Sequence, residues 1–134
     1  MQKILVAAAI LLKPSGEVFI AERPADKIWP GYWEFPGGKI EAMETPEIAL
    51  RREIQEEIGI TLGRVEPFSF LSETREKEGY HVIVLCYLCR QWQGEPRPLE
   101  NQRMAWTRPE ALDEYRLLPS NVDIAKQLRE HLCR

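Results

Sequence analysis

Three glutamates near the middle of the chain have the spacing of a metal-binding set. Glu53, Glu56 and Glu57 occupy positions i, i+3 and i+4. On a helix this spacing places all three carboxylates on one face, where each like-charge pair is unfavourable by about 0.2–0.5 kcal/mol. A hard divalent cation with oxygen ligands reverses the sign of that interaction, and magnesium is the usual ion where phosphates complete its shell. The alternative is a solvated surface, because runs of charge often mark an exposed helix face.

The residues around these glutamates predict a helix over about 46–58. Thr45 suits the N-cap, and Pro46 suits the first helical position, where its missing N–H has no helical partner to lose. Gly59 is suited to end the helix in a left-handed conformation. Apolar residues at helical spacing supply the side that is expected to be buried: Ile48, Ala49, Ile54 and Ile58.

A wider pattern surrounds the glutamates. Gly38 is followed by Glu44, then by Arg52 directly before Glu53, and Gly59-Ile60 closes the segment. The segment GKIEAMETPEIALRREIQEEIGI resembles the complete Nudix box of enzymes that hydrolyse a diphosphate linked to another group. A chance match at the nine specified positions has odds on the order of 10⁻⁷.

The resemblance implies a role for each residue of the box. It implies one set of metal ligands, namely Glu53, Glu56, Glu57 and the backbone near Gly38. Glu44 and Arg52 resemble the residues that hold those ligands in place. The implied cofactor is Mg²⁺, with Mn²⁺ as a substitute.

The order of predicted elements fits an α/β fold. Longer strands are expected over 3–12, 17–22, 64–74 and 80–91, with short strands at 33–35 and 103–107. A short helix is expected from Pro109, and a last helix to about 132, capped by Ser120 or Asn121, with Ile124, Leu128 and Leu132 on one stripe. The absence of repeats and linkers predicts a single domain over 1–134. The Nudix resemblance implies a three-layer α/β/α sandwich with a central mixed sheet.

Further phrases resemble the MutT branch of that family, which hydrolyses oxidised guanine nucleotides such as 8-oxo-dGTP. They are AERPADKIWPGYWEFPGGKIEAMETPE, WQGEP at 92–96 and PSN at 119–121. The resemblance implies that Asn121 reads the purine, because an amide offers both a donor and an acceptor. It also places Phe35 near the base and Arg23 at the nucleotide pocket. The alternatives are a helix cap for Asn121, strand core for Phe35 and an ordinary surface arginine for Arg23.

Two further positions bear on the site. Glu100 lies in the loop PRPLENQ, where the MutT branch has a glutamate that reaches the metal, so it is a candidate metal ligand or general base. Its alternative is a solvated loop carboxylate. Tyr80 stands where that branch often has a basic residue before a histidine, here His81. A tyrosine can stack or donate a hydrogen bond to a nucleotide but supplies no charge, and His81 itself is expected to be structural.

Composition and charge narrow the class of protein. The chain has 134 residues, a net charge of −3 and a pI near 5.5. This balance argues against a binder of duplex nucleic acid, which usually has a basic face. It is compatible with a nucleoside triphosphate, whose charge a metal ion and a few local cations neutralise. The size predicts a monomer, although the aromatic loop Trp29–Trp33 is suited either to line a base pocket or to form an interface.

The N-terminal segment and the cysteines each have two interpretations. Lys3 followed by ILVAAAILL resembles a short signal-peptide core, but a buried strand and a hairpin at Lys13–Gly16 explain it better, and the cytoplasm is then expected. Cys86 and Cys89 have the spacing of a zinc or redox pair. Residues three apart on a strand point to opposite faces, so buried reduced thiols are the better prediction.

The predicted reaction is metal-assisted attack of water on the diphosphate linkage, with a carboxylate taking the proton. It releases a nucleoside monophosphate and pyrophosphate, and resemblance to the MutT branch implies attack at the β-phosphorus. The biological result is removal of oxidised guanine nucleotides before a polymerase incorporates them, which prevents mutation. One alternative is a pyrimidine-nucleotide or general (d)NTP pyrophosphatase. The other is a non-catalytic module that senses a nucleotide.

Overall fold

The computed structural model describes residues 2–132, and Cys133 lies outside the described residues. The chain forms nine strands, two α-helices and a 3₁₀ helix within that range. The strands are β1 (Gln2–Leu11), β2 (Val18–Glu22), β3 (Trp33–Glu34), β4 (Gly37–Lys39), β5 (Thr61–Leu62), β6 (Val65–Arg75), β7 (Tyr80–Cys89), β8 (Trp92–Gln93) and β9 (Met104–Thr107). The helices are α1 (Pro46–Ile58), α2 (Pro119–Leu132) and the 3₁₀ helix Pro109–Glu114, so the predicted helix at Pro109 has the tighter geometry.

The central sheet is mixed, as predicted. Its strand order is β4–β1–β7–β6. β1 runs parallel to β7, with Val6 opposite Val84, and the pairs β1–β4 and β6–β7 are antiparallel. A smaller sheet has the order β3–β2–β9 and places Glu34 opposite Ala21. This pairing brings the strand that carries Glu34 beside the end of β2.

Two apolar cores lie on opposite faces of β1. Ala8 and Ile10 pack in the first core cluster, whereas Ala7, Ala9 and Leu11 pack in the second. The first cluster also contains Ile124, Ala125 and Leu128 of α2, and the second contains Leu50, Ile54 and Ile58 of α1. A strand buried on both faces reads as a continuous apolar run. This confirms that ILVAAAILL is a central strand and that the fold is an α/β/α sandwich.

The boundaries of α1 match the prediction. The Thr45 hydroxyl accepts a hydrogen bond from the Ile48 amide at 3.2 Å, and Gly59 ends the helix at φ 70°. One predicted member of the apolar side is wrong, because Ile48 is 54% exposed. Leu50 is fully buried in its place, beside Ala49 and Ile54. The buried stripe therefore faces β1, and the three glutamates lie on the remaining surface of the helix.

The predicted cap of α2 is wrong. The helix begins at Pro119, so Ser120 and Asn121 lie inside its first turn, and the Leu118 carbonyl accepts from the Asn121 amide at 2.9 Å. Proline is favoured at the first helical position because it has no N–H to satisfy there. The predicted apolar stripe is confirmed, with Ile124 and Leu128 buried and Leu132 packed against them.

The two cysteines of β7 are buried thiols on opposite faces, as predicted. Cys86 belongs to the first core cluster and Cys89 to the second. Burial raises the pKa of the Cys86 thiol, and it raises the pKa of Cys89 to about 12. Both thiols therefore stay protonated at neutral pH, which disfavours a metal or redox role for this pair. Within residues 2–132, no helix is long and apolar enough to cross a membrane.

Candidate active site

The strand β4 lies close against the glutamate face of α1. A Cβ atom added at Gly38 would stand 2.2 Å from the carboxyl carbon of Glu53. Only a residue without a side chain allows a backbone to come this near to a carboxylate. The structure therefore brings together Gly38 and Glu53, which the sequence pattern links only by spacing.

Arg52 binds three of the carboxylates of this region. Its Nε and Nη2 donate to the two oxygens of Glu44 at 2.6 and 2.8 Å. Its Nη1 donates to Glu53 at 3.0 Å and to Glu56 at 3.3 Å. Its Nη2 also donates to the Lys39 carbonyl on β4, at 3.1 Å. Arg52 thus connects α1, β4 and the loop between them around the glutamate face.

Hydrogen bonding fixes the charge of the Glu44 carboxylate. The Arg52 guanidinium, followed by the Glu41 backbone amide, lowers the pKa of Glu44 to about 2. The same contact with Glu44 raises the pKa of Arg52. Paired two-point contacts of this kind are among the stronger hydrogen bonds in proteins. Both groups are therefore fully charged at neutral pH and hold a fixed geometry.

Four acidic residues line a cavity beside β4, which we call the acid pocket. Its charged lining consists of Glu22, Glu34, Glu57, Glu100, Arg23 and Lys27. Burial raises the pKa of Glu57 well above its ordinary value, and the charges of Glu34, Glu53 and Glu100 raise it further. Lys27 opposes this rise only weakly, as the last of the contributions. The acid pocket is thus short of positive charge at Glu57.

Glu34 is a site residue that the sequence analysis missed. Burial raises its pKa, although Arg23 donates to both of its oxygens at 3.1 and 2.9 Å. The alternation of side chains along a strand could have predicted it, because neighbouring residues of a strand face opposite sides of the sheet. Phe35 is buried in the first core cluster, so Glu34 directly before it faces the other way.

A loop contact brings Glu100 to α1. The side chain of Gln102, only 7% exposed, donates to the Glu57 carbonyl at 3.0 Å and accepts from the Glu100 amide at 2.9 Å. Lys27 also lies 3.6 Å from the Glu100 carboxylate. The prediction that Glu100 reaches the glutamate site is therefore supported by position. Gln102, which sequence reasoning did not single out, holds the loop there.

Arg23 lies at the base of the loop that precedes β3. Its Nη1 binds Glu34, and its Nε donates to the Ile28 carbonyl at 2.6 Å. Its backbone amide donates to the Tyr32 carbonyl at 2.7 Å, and the Gly31 amide donates to the Arg23 carbonyl at 3.2 Å. The arginine therefore lines the acid pocket, as the nucleotide role requires, and also shapes the loop.

Phe35 and Asn121 lie side by side, away from the solvent. They are 2% and 6% exposed, and the Asn121 Oδ1 accepts from the Phe35 amide at 2.8 Å. The Asn121 Nδ2 donates to the Ser120 hydroxyl at 3.2 Å. An asparagine amide accepts two hydrogen bonds and donates two, so half of its capacity is used. The helix-cap alternative for Asn121 is wrong; Phe35 belongs to the first core cluster, and Asn121 is a buried polar residue beside it.

Tyr80 and His81 begin β7 at the far end of the central sheet. Tyr80 is partly buried and packs against the first core cluster, the same cluster that contains Phe35. Its partner across the strand pair is Arg75. The His81 ring lies 2.9 Å from the Thr74 hydroxyl on β6, in keeping with the structural role predicted for it.

The donors around Gly38 suit a hard divalent cation in chemical type. They are carboxylate oxygens with backbone groups nearby. The negative charges of Glu34, Glu53 and Glu100 crowd Glu57, and a bound cation would neutralise that excess of negative charge. Among residues 2–132, no three His, Cys, Asp or Glu side chains stand as a ready metal-binding group. Glu53 and Glu56 are bound to Arg52 instead, so binding an ion requires their carboxylates to reorient.

Comparison with known proteins agrees with this geometry. The model of the family described as NUDIX domain matches residues 2–130. The 8-oxo-dGTP diphosphatase of Escherichia coli K12 is 36% identical over 129 residues, which cover 96% of this chain and 98% of that protein. The CTP pyrophosphohydrolase of the same strain is 32% identical and covers 91% of this chain and 89% of its own length.

A solved structure has the same fold. It comes from work on MutT of Aliivibrio salmonicida and Vibrio cholerae, and it superposes with a TM-score of 0.81 at 33% identity. The match covers 97% of this chain and 99% of the solved chain. The similarity therefore extends over nearly the whole chain.

Proposed function

This chain belongs to the NUDIX domain family, and on that premise we propose that it hydrolyses 8-oxo-dGTP to 8-oxo-dGMP and pyrophosphate. The observation that carries the proposal is the acid pocket. In it Glu57 is partly buried and lies among the charges of Glu34, Glu53 and Glu100, beside a strand that approaches Glu53 through Gly38. Such a site suits a cation and the phosphates that accompany it. The enzyme is a nucleoside triphosphate pyrophosphohydrolase, and the proposal treats residues 1–134 as one domain.

Nudix hydrolases generally use a divalent metal ion, and here we assign Mg²⁺. The residues that would hold it are Glu53, Glu56, Glu57, Glu100 and the backbone at Gly38. When bound, Mg²⁺ supplies neutralisation of phosphate charge. The Arg52 guanidinium, oriented by Glu44, holds one oxygen of Glu53 and one of Glu56, so it keeps both carboxylates beside the ion site, from where they reorient when the ion binds.

The remaining charged residues of the acid pocket act on the substrate directly. Arg23 and Lys27 line the pocket as cations and bind phosphate oxygens. Glu100 accepts the proton of the attacking water, since its side chain is 36% exposed and so reaches solvent more freely than the partly buried Glu57. Water attacks the β-phosphorus, the bond to the α-phosphate oxygen breaks, and the nucleoside monophosphate leaves.

Phe35 and Asn121 form the base side of the proposed site. In 8-oxoguanine the protonated N7 is a donor and O6 is an acceptor, whereas guanine has acceptors at both positions. Asn121 retains one lone pair on Oδ1 and one hydrogen on Nδ2 after its two contacts. These match that donor and acceptor pair. A site built to bind a ligand N–H rejects strongly the analogue that lacks it.

A second candidate is a pyrimidine or general (d)NTP pyrophosphatase. It is favoured by the identity of 32% with a protein named CTP pyrophosphohydrolase, which is near the 36% for the diphosphatase. A non-catalytic nucleotide sensor is disfavoured, because every acidic residue of the Nudix box is retained. Magnesium-dependent release of pyrophosphate from any nucleotide separates an enzyme from such a sensor.

The decisive experiment is steady-state hydrolysis of 8-oxo-dGTP, dGTP and CTP side by side with Mg²⁺. We expect kcat/KM for 8-oxo-dGTP to exceed the other two by at least about 100-fold, as hydrogen-bond selection allows. Comparable rates, or a preference for CTP, would retain the chemistry and reject the assignment to oxidised guanine. The biological role that follows is sanitation of the nucleotide pool and avoidance of mutation, by a cytoplasmic monomer that acts in support of DNA replication and repair.

A further inference from the structure

Gln102 is a buried glutamine whose side chain bridges the main chains of two of the proposed metal ligands. Its Nε2 donates to the Glu57 carbonyl at 3.0 Å, and its Oε1 accepts from the Glu100 amide at 2.9 Å. Only one orientation of the side-chain amide satisfies both contacts, because the reversed group would set donor against donor and acceptor against acceptor. Gln102 is 7% exposed, so the loss of either hydrogen bond leaves a buried group without a partner.

The loop of residues 97–102, which we call the base loop, is seated on the C-terminal end of α1. The last carbonyls of a helix have no partner inside the helix. Here the Ile58 carbonyl accepts from the Arg97 amide at 2.8 Å, and the Glu57 carbonyl accepts from the Leu99 amide at 3.2 Å. The base loop therefore completes the end of the helix that carries the box glutamates.

A strand holds the other end of the base loop. β9 begins at Met104, shortly after Gln102, and Met104 pairs with Ala21 of β2. The Arg103 carbonyl accepts from the Glu22 amide at 2.9 Å. Functional groups are placed most precisely when their supporting side chains stand on rigid elements. Gln102 stands at the edge of the small sheet, and its amide reaches from there to α1.

The other contact of Glu100 is weaker. The Lys27 ammonium lies 3.6 Å from the Glu100 carboxylate, and the two side chains are 43% and 36% exposed. An ion pair this open to water contributes little to a fixed geometry. Gln102 is therefore the stronger constraint on the position of Glu100, and both of these residues line the acid pocket with Glu57.

We propose that Gln102 is a positioning residue that sets where Glu100 lies relative to Glu57 across the acid pocket. The inference rests on the proposed function, since it concerns the same site. In this role Gln102 contacts neither phosphate nor water and acts only through the main chain of the two glutamates. The loss of such a supporting group typically lowers metal affinity or activity by about 10- to 100-fold.

The first test is Gln102→Met, which nearly keeps the volume of the side chain and removes both hydrogen bonds. We expect kcat for 8-oxo-dGTP to fall by about 10- to 100-fold, with KM nearly unchanged, because the groups proposed to bind the nucleotide stay in place. Gln93→Met is the matched control, since Gln93 is an exposed glutamine just before the same loop and should keep the wild-type kcat. Wild-type kcat in folded Gln102→Met would overturn the proposal.

A double-mutant cycle with Glu100→Gln separates positioning from general structural support. If Gln102 acts through Glu100, the two substitutions together should lower kcat little more than Glu100→Gln alone. Losses that multiply would show that the two residues act independently and would overturn the proposal. Gln102→Asn serves where the methionine variant does not fold, because it keeps a buried amide that is too short to bridge the same two groups. It should lose as much activity, and wild-type kcat in it would equally overturn the proposal.

Titration of the nucleotide-free protein with Mg²⁺ reads the same role without turnover. The affinity for Mg²⁺ should fall by about 10- to 100-fold in Gln102→Met, whereas Gln93→Met should bind the ion like the wild type. Unchanged affinity in Gln102→Met would show that Glu100 has not moved from the ion site and would overturn the proposal. If the wild type hydrolyses none of 8-oxo-dGTP, dGTP and CTP, the proposed function fails, while this titration still decides the role of Gln102.

Discussion

Arg52 and Glu44 form a two-point ion pair in which both oxygens of the carboxylate accept from the same guanidinium, at 2.6 and 2.8 Å. The same arginine reaches Glu53 and Glu56 with its remaining nitrogen. The pair therefore works as an anchor: Glu44 fixes the plane of the guanidinium, and that plane fixes where the two neighbouring carboxylates lie. Substitution of either Arg52 or Glu44 should therefore also change the positions of the Glu53 and Glu56 carboxylates, although those two residues are not themselves substituted.

The first prediction concerns that anchor. Glu44→Gln removes the charge that orients Arg52 while the glutamates of α1 remain, so kcat should fall by about 10- to 100-fold, as is typical when a residue supporting metal ligands is lost. Affinity for Mg²⁺, measured by titration, should fall with it. Glu41→Gln is the control, because this exposed neighbour hydrogen-bonds to Glu44 through its backbone amide and carbonyl, which the substitution keeps. Full activity in Glu44→Gln would contradict the anchoring role.

The second prediction is the dependence of stability on pH that this pair produces. The folded pKa of Glu44 is about 2, below its ordinary value of 4.5. A carboxylate whose pKa is lowered by folding stabilises the protein above its unfolded pKa, and that contribution disappears as the pH falls through the folded pKa. The difference in unfolding free energy between the wild type and Glu44→Gln should therefore be largest above about pH 5 and should shrink towards pH 2. Urea unfolding across that range measures it, and a difference independent of pH would refute the assignment.

The third prediction sets stability against activity at Glu57. Its pKa is raised by burial and by neighbouring acids, so ionised Glu57 destabilises the metal-free protein. This penalty is absent below the unfolded pKa, grows as the pH rises towards the folded pKa, and is constant above it. Without metal at neutral pH, Glu57→Gln should gain on the order of 1 kcal/mol, because an unpaired buried charge is unfavourable. Its activity should fall by more than about 100-fold, beyond the loss typical of a supporting residue.

The matched control for this variant is Glu47→Gln, an exposed glutamate on the same helix with the same change in charge. It should leave activity close to that of the wild type and lower stability by about 0.3–1 kcal/mol, the opposite direction to Glu57→Gln, because Glu47 is an acidic residue in the first turn of the helix. If Glu57→Gln remained active, Glu57 would not be a metal ligand. If it lost stability without metal, the crowding of charge around Glu57 would be the wrong explanation.

The helix α1 shows how much of the fold can be predicted from sequence. Its start at Pro46, its cap at Thr45 and its end at Gly59 depend on contacts within a few residues, and all three predictions are confirmed. The spacing of Glu53, Glu56 and Glu57 on it is equally local. The start of α2 was predicted wrongly although its signal is also local, because Pro119 takes the first helical position and places Ser120 and Asn121 inside the first turn. The hydrogen bond from the Phe35 amide to Asn121 joins residues 86 positions apart, and it leaves no trace in the residues around Asn121.

The candidate site also contains residues that the sequence predicts and residues whose role depends on contacts formed only in the folded chain. Sequence reasoning found Glu100, but Gln102, which holds its loop against the carbonyl of Glu57, is visible only after folding. Sequence reasoning selected Phe35 as a site residue but not its neighbour Glu34. Which side of the sheet a strand residue faces can be inferred only when one face is known to be buried, and the sequence alone does not show that here.

The fourth prediction concerns the close approach of β4 to α1. A Cβ at position 38 would lie 2.2 Å from the carboxyl carbon of Glu53 and 2.4 Å from one of its oxygens. Gly38→Ala should therefore displace that carboxylate, at little cost in unfolding free energy because the atoms that must move are the end of a flexible side chain. A shift of about 1 Å in a catalytic group can reduce the rate by about 100-fold. Lys39→Ala, which truncates an exposed side chain on the same strand, should do neither.

The last prediction separates the two uses of Asn121. Its Oδ1 supports the buried Phe35 amide, whereas its remaining Nδ2 hydrogen is the group proposed to meet O6 of the base. Asn121→Ala leaves the Phe35 amide without a partner, which should reduce the unfolding free energy by about 1–3 kcal/mol. Asn121→Asp keeps an oxygen for that amide but has no N–H to donate. It should therefore melt closer to the wild type than the alanine variant does, while its preference for 8-oxo-dGTP over CTP drops by at least about 10-fold. Thermal unfolding and kcat/KM on both nucleotides measure the two effects on the same preparations. An aspartate variant that keeps the full preference would show that Asn121 serves Phe35 alone, and that the base is selected elsewhere.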